Sequence, residues 1–260
     1  MKKTLIAASL ISLMSATAQA DVVGLYIGGQ IWDNEATGAF GETANMQEFR
    51  LDDEQQTSFH IAVEHPFPFI PNIKLAQTTL DTTGSATLTE EFKFGDETFT
   101  VGSSVDADFD VSYTDYTLYY ELFDNGAFSF DFGLTGRDFD SEIVATSTVT
   151  TTDSSGGSVT ETLTGKQSAS EIVPMLYAAT EIGLMFTGLN LYAEGNFLSI
   201  DDHTLYDYQV GISYDLIDNI AVDVNVTAGY RSVKLELEDL SDLYTDIEFD
   251  GVFAGLVIHF

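Results

Sequence analysis

Side chains that could act in acid–base chemistry stand in two places. Asp201, Asp202 and His203 are consecutive, and an Asp–His pair at a rim could activate water for hydrolysis. Ser58 and His60 lie two residues apart and would share one face of a strand. That spacing is too long for a direct bond between nucleophile and base. Because Asp is also a common turn residue, we interpret the first group as a turn and expect no catalytic pair at the second.

Metal and cofactor motifs are weak in this chain. Asp106, Asp108 and Asp110 have the spacing of a calcium loop, but the turn glycine and the closing Glu of that loop are missing. The sequence contains no Cys, so thiolate ligands and disulfides are excluded. We find no phosphate-binding, zinc or cofactor motif. The sequence therefore predicts no cofactor, no metal site and no enzymatic activity.

The chain is strongly acidic. It carries 9 Lys and Arg against 42 Asp and Glu, a formal net charge of −33. Such a surface repels phosphate backbones, which excludes nucleic acid as a partner. Weak association with divalent cations at many surface carboxylates is expected instead.

The first 20 residues have the pattern of a cleaved signal peptide. Lys2 and Lys3 precede an apolar stretch over 4–14, and Ala18-Gln19-Ala20 supplies small residues at a cleavage site. No later stretch has the 18 or more apolar residues of a membrane helix. We expect a signal peptide at 1–20 and one domain at 21–260.

The mature chain alternates between apolar and polar residues. Tyr206, Tyr208, Val210, Ile212, Tyr214 and Leu216 would share one strand face, opposite Asp207, Gln209, Gly211, Ser213 and Asp215. Several other segments repeat the pattern, which predicts strands with one apolar face. The apolar stripes have the length of about nine to eleven residues that a tilted strand needs to cross a bilayer.

The connections and the C-terminus distinguish a membrane barrel from a soluble sandwich or barrel. Short turns are predicted at Asp124-Asn125-Gly126, Thr187-Gly188 and Asp218-Asn219. Longer polar loops are predicted on the other rim, at 34–54, 85–106 and 149–166. This sorting is typical of outer-membrane barrels, as is a closing strand that ends on Phe260, which we interpret as an assembly signal.

The sequence thus predicts an all-β protein, a closed antiparallel transmembrane β-barrel of about ten strands. Eight strands are the alternative, because the apolar face of 73–84 is patchy. The predicted strands are 22–33, 55–65, 73–84, 107–123, 127–147, 168–186, 189–201, 204–216, 220–238 and 246–260.

The inward faces carry the candidate functional residues. The predicted lumen-facing polar network comprises Glu64, Lys74, Asp115, Glu121, Asp131, Arg137, Glu181, Glu194, Asp207, Asp215, Asp223 and Arg231. In a barrel of this size side chains are expected to fill the interior. The excess of acids leaves a narrow, cation-favouring pore as the alternative to a sealed lumen. Asp207, Asp215 and Asp223 are expected to tolerate polar exchange better than the lipid face does.

Two segments reverse their polarity. Val233 and Leu235 would point inward beyond Tyr230, as Phe109 and Val111 would before Thr114. The reversal predicts an extracellular extension of the sheet with its own apolar core. A β-bulge that exchanges the two faces is the alternative.

The start of the mature chain resembles a small family of proteobacterial outer-membrane barrel proteins. The resemblance rests on Gly24-Leu25-Tyr26-Ile27-Gly28-Gly29-Gln30-Ile31-Trp32 and on Ala39-Phe40-Gly41. It implies a barrel in the outer membrane of a Gram-negative bacterium, without an assigned activity. We therefore expect a structural or narrow porin-like protein whose partners are outer-membrane lipid, lipopolysaccharide, periplasmic chaperones and the barrel-assembly machinery. A rim-active hydrolase or a ligand-binding adhesin is the alternative.

Overall fold

The protein is an all-β chain in the computed structural model, which describes residues 23–152, 157–200, 203–219, 222–240 and 243–260. The predicted signal peptide lies outside these residues. In the part described, no helix has the length and apolar character to cross a membrane. The strands are β1 (Gly24–Gly41), β2 (Gln47–Leu51), β3 (Glu54–Glu64), β4 (Asn72–Thr78), β5 (Asp81–Thr87), β6 (Phe92–Phe94), β7 (Glu97–Phe99), β8 (Ser104–Asp110), β9 (Tyr113–Asp124), β10 (Phe128–Thr152), β11 (Ser158–Leu184), β12 (Leu189–Ile200), β13 (His203–Ile217), β14 (Asp223–Leu240) and β15 (Leu243–His259).

Ten of these strands close into a ring. The hydrogen-bonded order is β1-β3-β4-β9-β10-β11-β12-β13-β14-β15, and β15 returns to β1. Every pairing in the ring is antiparallel. The predicted closed barrel of ten strands is confirmed, and the eight-stranded alternative is wrong.

Tight turns connect neighbouring strands at one rim of the ring, and their sequences favour turns. At the β9–β10 turn the Asp124 carboxylate accepts a hydrogen bond from the N–H of Gly126 at 2.7 Å. Gly126 has a φ of 75°, a conformation that glycine adopts without steric cost. This is the rim at which β1 begins and β15 ends, and we call it the lower rim.

Above the other end of the ring, the sheet continues as an extension. β1 pairs first with β3 and then, from Gly38, with β2, while β10 pairs first with β9 and then, from Glu142, with β8. β5 joins β2 to β8. The chain passes between the ring and the extension near Leu80 and Val111, where the Val111 N–H donates a 2.8 Å hydrogen bond to the Leu80 carbonyl.

The extension is open on one side. Within the described residues, β11 pairs with β12 only from Leu176 onward, whereas it pairs with β10 along its length. The segment 158–175 of β11 therefore has no hydrogen-bonded strand on its second edge. We call the gap between this segment and β12 the seam.

Along each long strand the same set of alternate residues faces outward from one end to the other, while the character of those residues changes. On β1, Ile27 and Ile31 are exposed on the outer face, and Glu35 and Thr37 continue the same face higher up. Outward apolar residues thus form a band around the ring, whereas outward residues of the extension are mostly polar.

The inner face of the extension encloses an apolar core. Phe109, Val111, Val233 and Leu235 are all buried in it, which confirms the predicted extension with its own core. β14 pairs continuously with β15 from Arg231 to Leu235, so the bulge alternative is wrong for this strand. The core also contains a cluster of phenylalanines: Phe40, Phe49, Phe92, Phe94, Phe99 and Phe109.

The long predicted loops are largely strands. The regions 34–54 and 85–106 contain the end of β1, β2, β6, β7 and parts of β5 and β8, and 149–166 continues β10 and β11 on both sides of 153–156. The strand predicted over 73–84 ends at Thr78, and the one over 107–123 divides after Asp110. These segments look polar because their outer faces meet water, while their inner faces supply the core.

Candidate functional site

Four charged side chains meet inside the ring at the base of the extension. Asp115 and Arg137 are register partners on β9 and β10, while Asp207 and Arg231 project from neighbouring strands β13 and β14. Residues an even number of positions apart lie on the same face of a strand. Arg137 and Arg231 are spaced in this way from the buried apolar residues above them on their strands, so both arginines and the carboxylates they meet lie on the inner face.

Both arginines bind carboxylates directly. Arg137 donates from Nε and Nη2 to the two oxygens of Asp115 at 2.8 and 2.7 Å, and from Nη2 to Asp207 at 2.7 Å. Arg231 donates from Nε and Nη2 to Asp207 at 2.9 and 2.8 Å. The four side chains form one ion-paired network across the lumen, which we call the central network.

Neutral groups complete the central network. The Tyr113 hydroxyl donates to Asp207 at 2.6 Å, and Asn196 donates to Asp115 at 3.3 Å. The Arg137 guanidinium lies 3.6 Å from the centre of the Tyr113 ring, and that of Arg231 lies 5.0 Å from Trp32. Arg137 and Trp32 are both 0 % exposed, so the network is shielded from water on its upper side.

A second pair lies next to the central network. Lys74 on β4 donates a hydrogen bond to Glu194 on β12, and its ammonium lies 5.8 Å from the Tyr177 ring. A polar cavity of about 50 Å³ lies between this pair and Arg231, and His60 contributes to its lining. The cavity has room for several water molecules, since one needs about 10–15 Å³.

The remaining acids lie toward the lower rim. Glu64 accepts a 2.7 Å hydrogen bond from Tyr119, and Asp215 accepts one from Asn190 at 3.4 Å. Asp223 lies 3.3 Å from the His259 ring. The others on this inner face are the exposed Glu121 and Glu181 and the half-buried Asp131. Acids therefore predominate at this end, while Lys74, Arg137 and Arg231 are paired above them.

The residues considered for hydrolysis form no hydrogen-bonded pair among the described residues. Ser58 and His60 both line the polar cavity, where the Ser58 hydroxyl lies 3.1 Å from the Thr78 hydroxyl. Asp201 and Asp202 lie outside the described residues, and His203 accepts a hydrogen bond from the Glu238 N–H at 3.2 Å. Asp106, Asp108 and Asp110 alternate outward on β8. Over the described ranges, no group of three or more His, Asp or Glu could hold a metal ion.

Phe260 closes the ring at the lower rim. Its N–H donates to the Leu25 carbonyl at 3.0 Å, and its own carbonyl accepts from Leu25 at 3.2 Å. Its side chain is exposed on the outer face, in line with Leu256 and Val252.

Alternation along the strands indicates the inner face but not which residues meet across the barrel. Tyr113, Asn196 and Trp32 contact the central network, although the predicted lumen-facing polar network does not include them. Asn196 is 81 residues from its partner Asp115, and Trp32 is 199 residues from its partner Arg231. Only the register between strands brings these residues together. The Gly-x-Tyr-x-Gly-Gly-x-x-Trp pattern did mark Trp32, but as a family signature.

Comparisons with known proteins give only distant likenesses. No family model matches the chain, and no curated protein matches it. Among solved structures, Neisserial surface protein A is 11 % identical over 90 % of this chain and 95 % of its own, with a TM-score of 0.27. The transport unit of the autotransporter AIDA-I from Escherichia coli is 9 % identical over 98 % of this chain and 95 % of its own, with a TM-score of 0.35. The Pseudomonas putida toluene transporter TodX is 6 % identical over 97 % and 93 %, with a TM-score of 0.33. The architecture of this chain rests on its own closed ring of hydrogen bonds.

Proposed function

We propose that this protein is an integral outer-membrane barrel of a Gram-negative bacterium, with a lumen closed by its own side chains and a structural role in the envelope. The observation that carries the proposal is the central network. Arg137 and Arg231 bridge Asp115 and Asp207 across the lumen, and all four are at least nine-tenths buried. An ion that passed this level would have to separate these paired, buried charges.

The apolar band supports the membrane location. Ile27, Ile61, Leu118, Ile212 and Leu256 are 41 to 50 % exposed on the outer face of five different strands. Large apolar side chains around a closed ring favour lipid as the surrounding medium. Its partners would then be outer-membrane lipid and lipopolysaccharide, after delivery by periplasmic chaperones and the barrel-assembly machinery.

The apolar core above the network is a second barrier. Phe249 and Leu205 are 0 and 1 % exposed on the inner face of the extension. Such a region does not hold hydrated ions, because it has no polar groups to replace their water. The proposal assigns no catalytic role and no cofactor to the lumen.

A narrow cation pathway is the second candidate. It is favoured by the acids at the lower rim, where Glu64, Glu121, Asp131 and Glu181 share one inner face. Carboxylates in such a mouth attract cations and repel anions. In this case the cation would have to pass the central network through rearrangement of its side chains.

Planar-bilayer recordings of the refolded mature chain distinguish the two candidates. We expect no current steps in 1 M KCl, with insertion verified in the same preparation by flotation with vesicles and by heat-dependent migration in SDS. Steady cation-selective steps would refute the closed lumen. If they occur, the variant Glu121→Gln with Glu181→Gln should lose its selectivity, and that loss would support the second candidate.

A further inference from the structure

A cavity lies inside the extension, next to the seam. Phe139 and Ile143 line it from β10, Leu235 and Leu237 from β14, and Leu243 and Ile247 from β15. Ala169 and Glu171 line it from the segment 158–175 of β11. β12 and β13 stand between β11 and β14 in the ring, yet contribute no lining residue. The cavity therefore lies beside the open edge of β11.

The cavity suits a short apolar group. Apart from Ser141, Thr245 and Glu171 its lining is hydrocarbon or aromatic, and the Thr245 hydroxyl already donates to the Leu235 carbonyl. Water gains little in such surroundings, because it needs two to four polar partners. The cavity measures about 40 Å³. Since one water-sized group needs about 10–15 Å³, this is room for about three such groups.

Glu171 gives the cavity one charge. It is the register partner of Phe139 and shares an inner face with Ala169 and Val173. Its side chain is exposed, so the carboxylate is accessible at the seam. None of the ion pairs between described residues includes it.

We propose that this cavity binds short primary alkylamines in their ammonium form. The chain would occupy the apolar lining and the ammonium would pair with Glu171 at the seam. The site lies above the central network, so the proposal goes beyond the closed lumen and does not depend on it.

The charge distribution favours a cation over other short amphiphiles. Asp138 and Asp140 face outward on β10, next to the strand that carries Glu171. Together with the formal net charge of −33, they raise the local concentration of cations and lower that of anions. A carboxylate ligand of the same length would be repelled by Glu171 at close range.

A methyl NMR titration of the full mature chain in micelles tests the site with three probes of one chain length. The probes are n-propylamine, n-propanol and propanoate at pH 7, added to protein labelled at Ile and Leu methyl groups. We expect the methyl signals of Ile143 and Ile247 to shift with saturation. The methyl of Ile212, which lies on the outer face, reports partition of the probe into the micelle.

Propylamine should bind roughly two- to five-fold more tightly than propanol, the preference expected for an exposed ion pair, and propanoate most weakly. Glu171→Gln should remove the preference for the amine and leave the affinity for propanol within about two-fold. Asp140→Asn, which removes an outward carboxylate of the same region, should leave the preference unchanged. Ala169→Phe should fill the cavity and abolish binding of all three probes.

Three results would overturn the proposal. The first is equal affinity of the unaltered protein for propylamine and propanol. The second is an equal effect of Glu171→Gln and Asp140→Asn, which would indicate only the general charge of the surface. The third is a shift of Ile143 and Ile247 no larger than that of Ile212, or its persistence in Ala169→Phe. A silent bilayer recording is compatible with each of these results, so the two proposals fail independently.

Discussion

Asp207 is the residue on which the central network depends. Its two oxygens accept from both arginines and from the Tyr113 hydroxyl. Removing a carboxylate from water is costly, and several short charge-assisted hydrogen bonds are needed to offset that cost. Arg231 depends on Asp207 in turn, since among the described residues it forms its carboxylate bonds with this residue alone, whereas Arg137 also binds Asp115.

Substitution of this carboxylate should therefore be costly. Asp207→Asn keeps the size of the side chain but leaves Arg231 buried without an anion, which we expect to lower the free energy of unfolding by about 3–5 kcal/mol. The measurement is urea unfolding of the refolded protein in vesicles. Asp215→Asn on the same strand face is the control. Its carboxylate is half-buried and has a long 3.4 Å bond to Asn190, so we expect less than about 1 kcal/mol. Equal costs would show that the network does not stabilise the barrel.

The sequence predicts which strand face Asp207 and Asp215 occupy, but not which side chains surround them. Period-two alternation places Asp207 and Asp215 on the same inner face, and on that basis both were expected to tolerate polar exchange. In the structure Asp207 meets two arginines from other strands, whereas Asp215 lies near the lower rim. The expectation of tolerance therefore stands for Asp215 and not for Asp207. Cross-barrel distances depend on register, which alternation within one strand does not define.

At the scale of elements, the hairpin of β6 and β7 covers the upper end of the core. Phe92, Phe94 and Phe99 are buried beneath it. The hairpin is held by Glu42, whose carboxylate accepts from the Gly95 N–H at 2.7 Å and lies 3.1 Å from the Lys93 ammonium. The same carboxylate accepts from Gln167 of β11 at 2.8 Å, so one residue ties the hairpin to the barrel wall.

Glu42 should make the hairpin sensitive to pH. Burial by itself would raise the pKa of this carboxyl, but the hydrogen bonds from Gln167, Lys93 and Gly95 outweigh it and lower the pKa below 4.5. A lowered pKa stabilises the folded state above the unfolded value, and this contribution is lost as the pH falls through the folded value. We expect hydrogen exchange of amides 92–99, corrected for intrinsic rates, to show less protection at pH 3 than at pH 7.

The same measurement identifies the residue responsible. Glu42→Gln should accelerate exchange of these amides at pH 7 by roughly five-fold, since about 1 kcal/mol is lost with the charged acceptor, and should remove most of the pH dependence. Glu91→Gln removes one carboxylate from the same region and should leave both unchanged. Unaltered exchange in Glu42→Gln would contradict the assignment.

Elements of the ring could be predicted from the sequence, while those of the extension could not. The ring strands alternate clearly because one face meets an apolar medium. β5 and β8 carry Thr82, Gly84, Asp106 and Asp108, which resemble loop residues in composition. Their short apolar sides, such as Val105 and Phe109, become recognisable only when several strands combine to bury them.

At the scale of the whole molecule, one continuous sheet serves two environments. The outer face of β1 changes from Leu25 and Ile27 to Glu35 and Thr37 without any change of parity. The inner face changes in the opposite sense, from Tyr26 and Gln30 to Ala36 and Phe40. The reversal requires only that the surroundings change from lipid to water along the barrel axis, and it therefore defines where the bilayer should end.

A pair of arginine substitutions on β1 tests that boundary. Ile27 lies within the apolar band, where an arginine on the lipid face costs about 2–4 kcal/mol. We therefore expect Ile27→Arg to lower the free energy of unfolding in vesicles by that amount. Thr37→Arg places the same side chain on the same face of the same strand, next to the register partner Glu248. It should cost about nothing, or stabilise slightly through the exposed ion pair, by less than about 1 kcal/mol. Measured side by side in urea, similar losses for the two variants would mean that lipid also surrounds the extension, whereas similar tolerance would mean that the band does not face a bilayer.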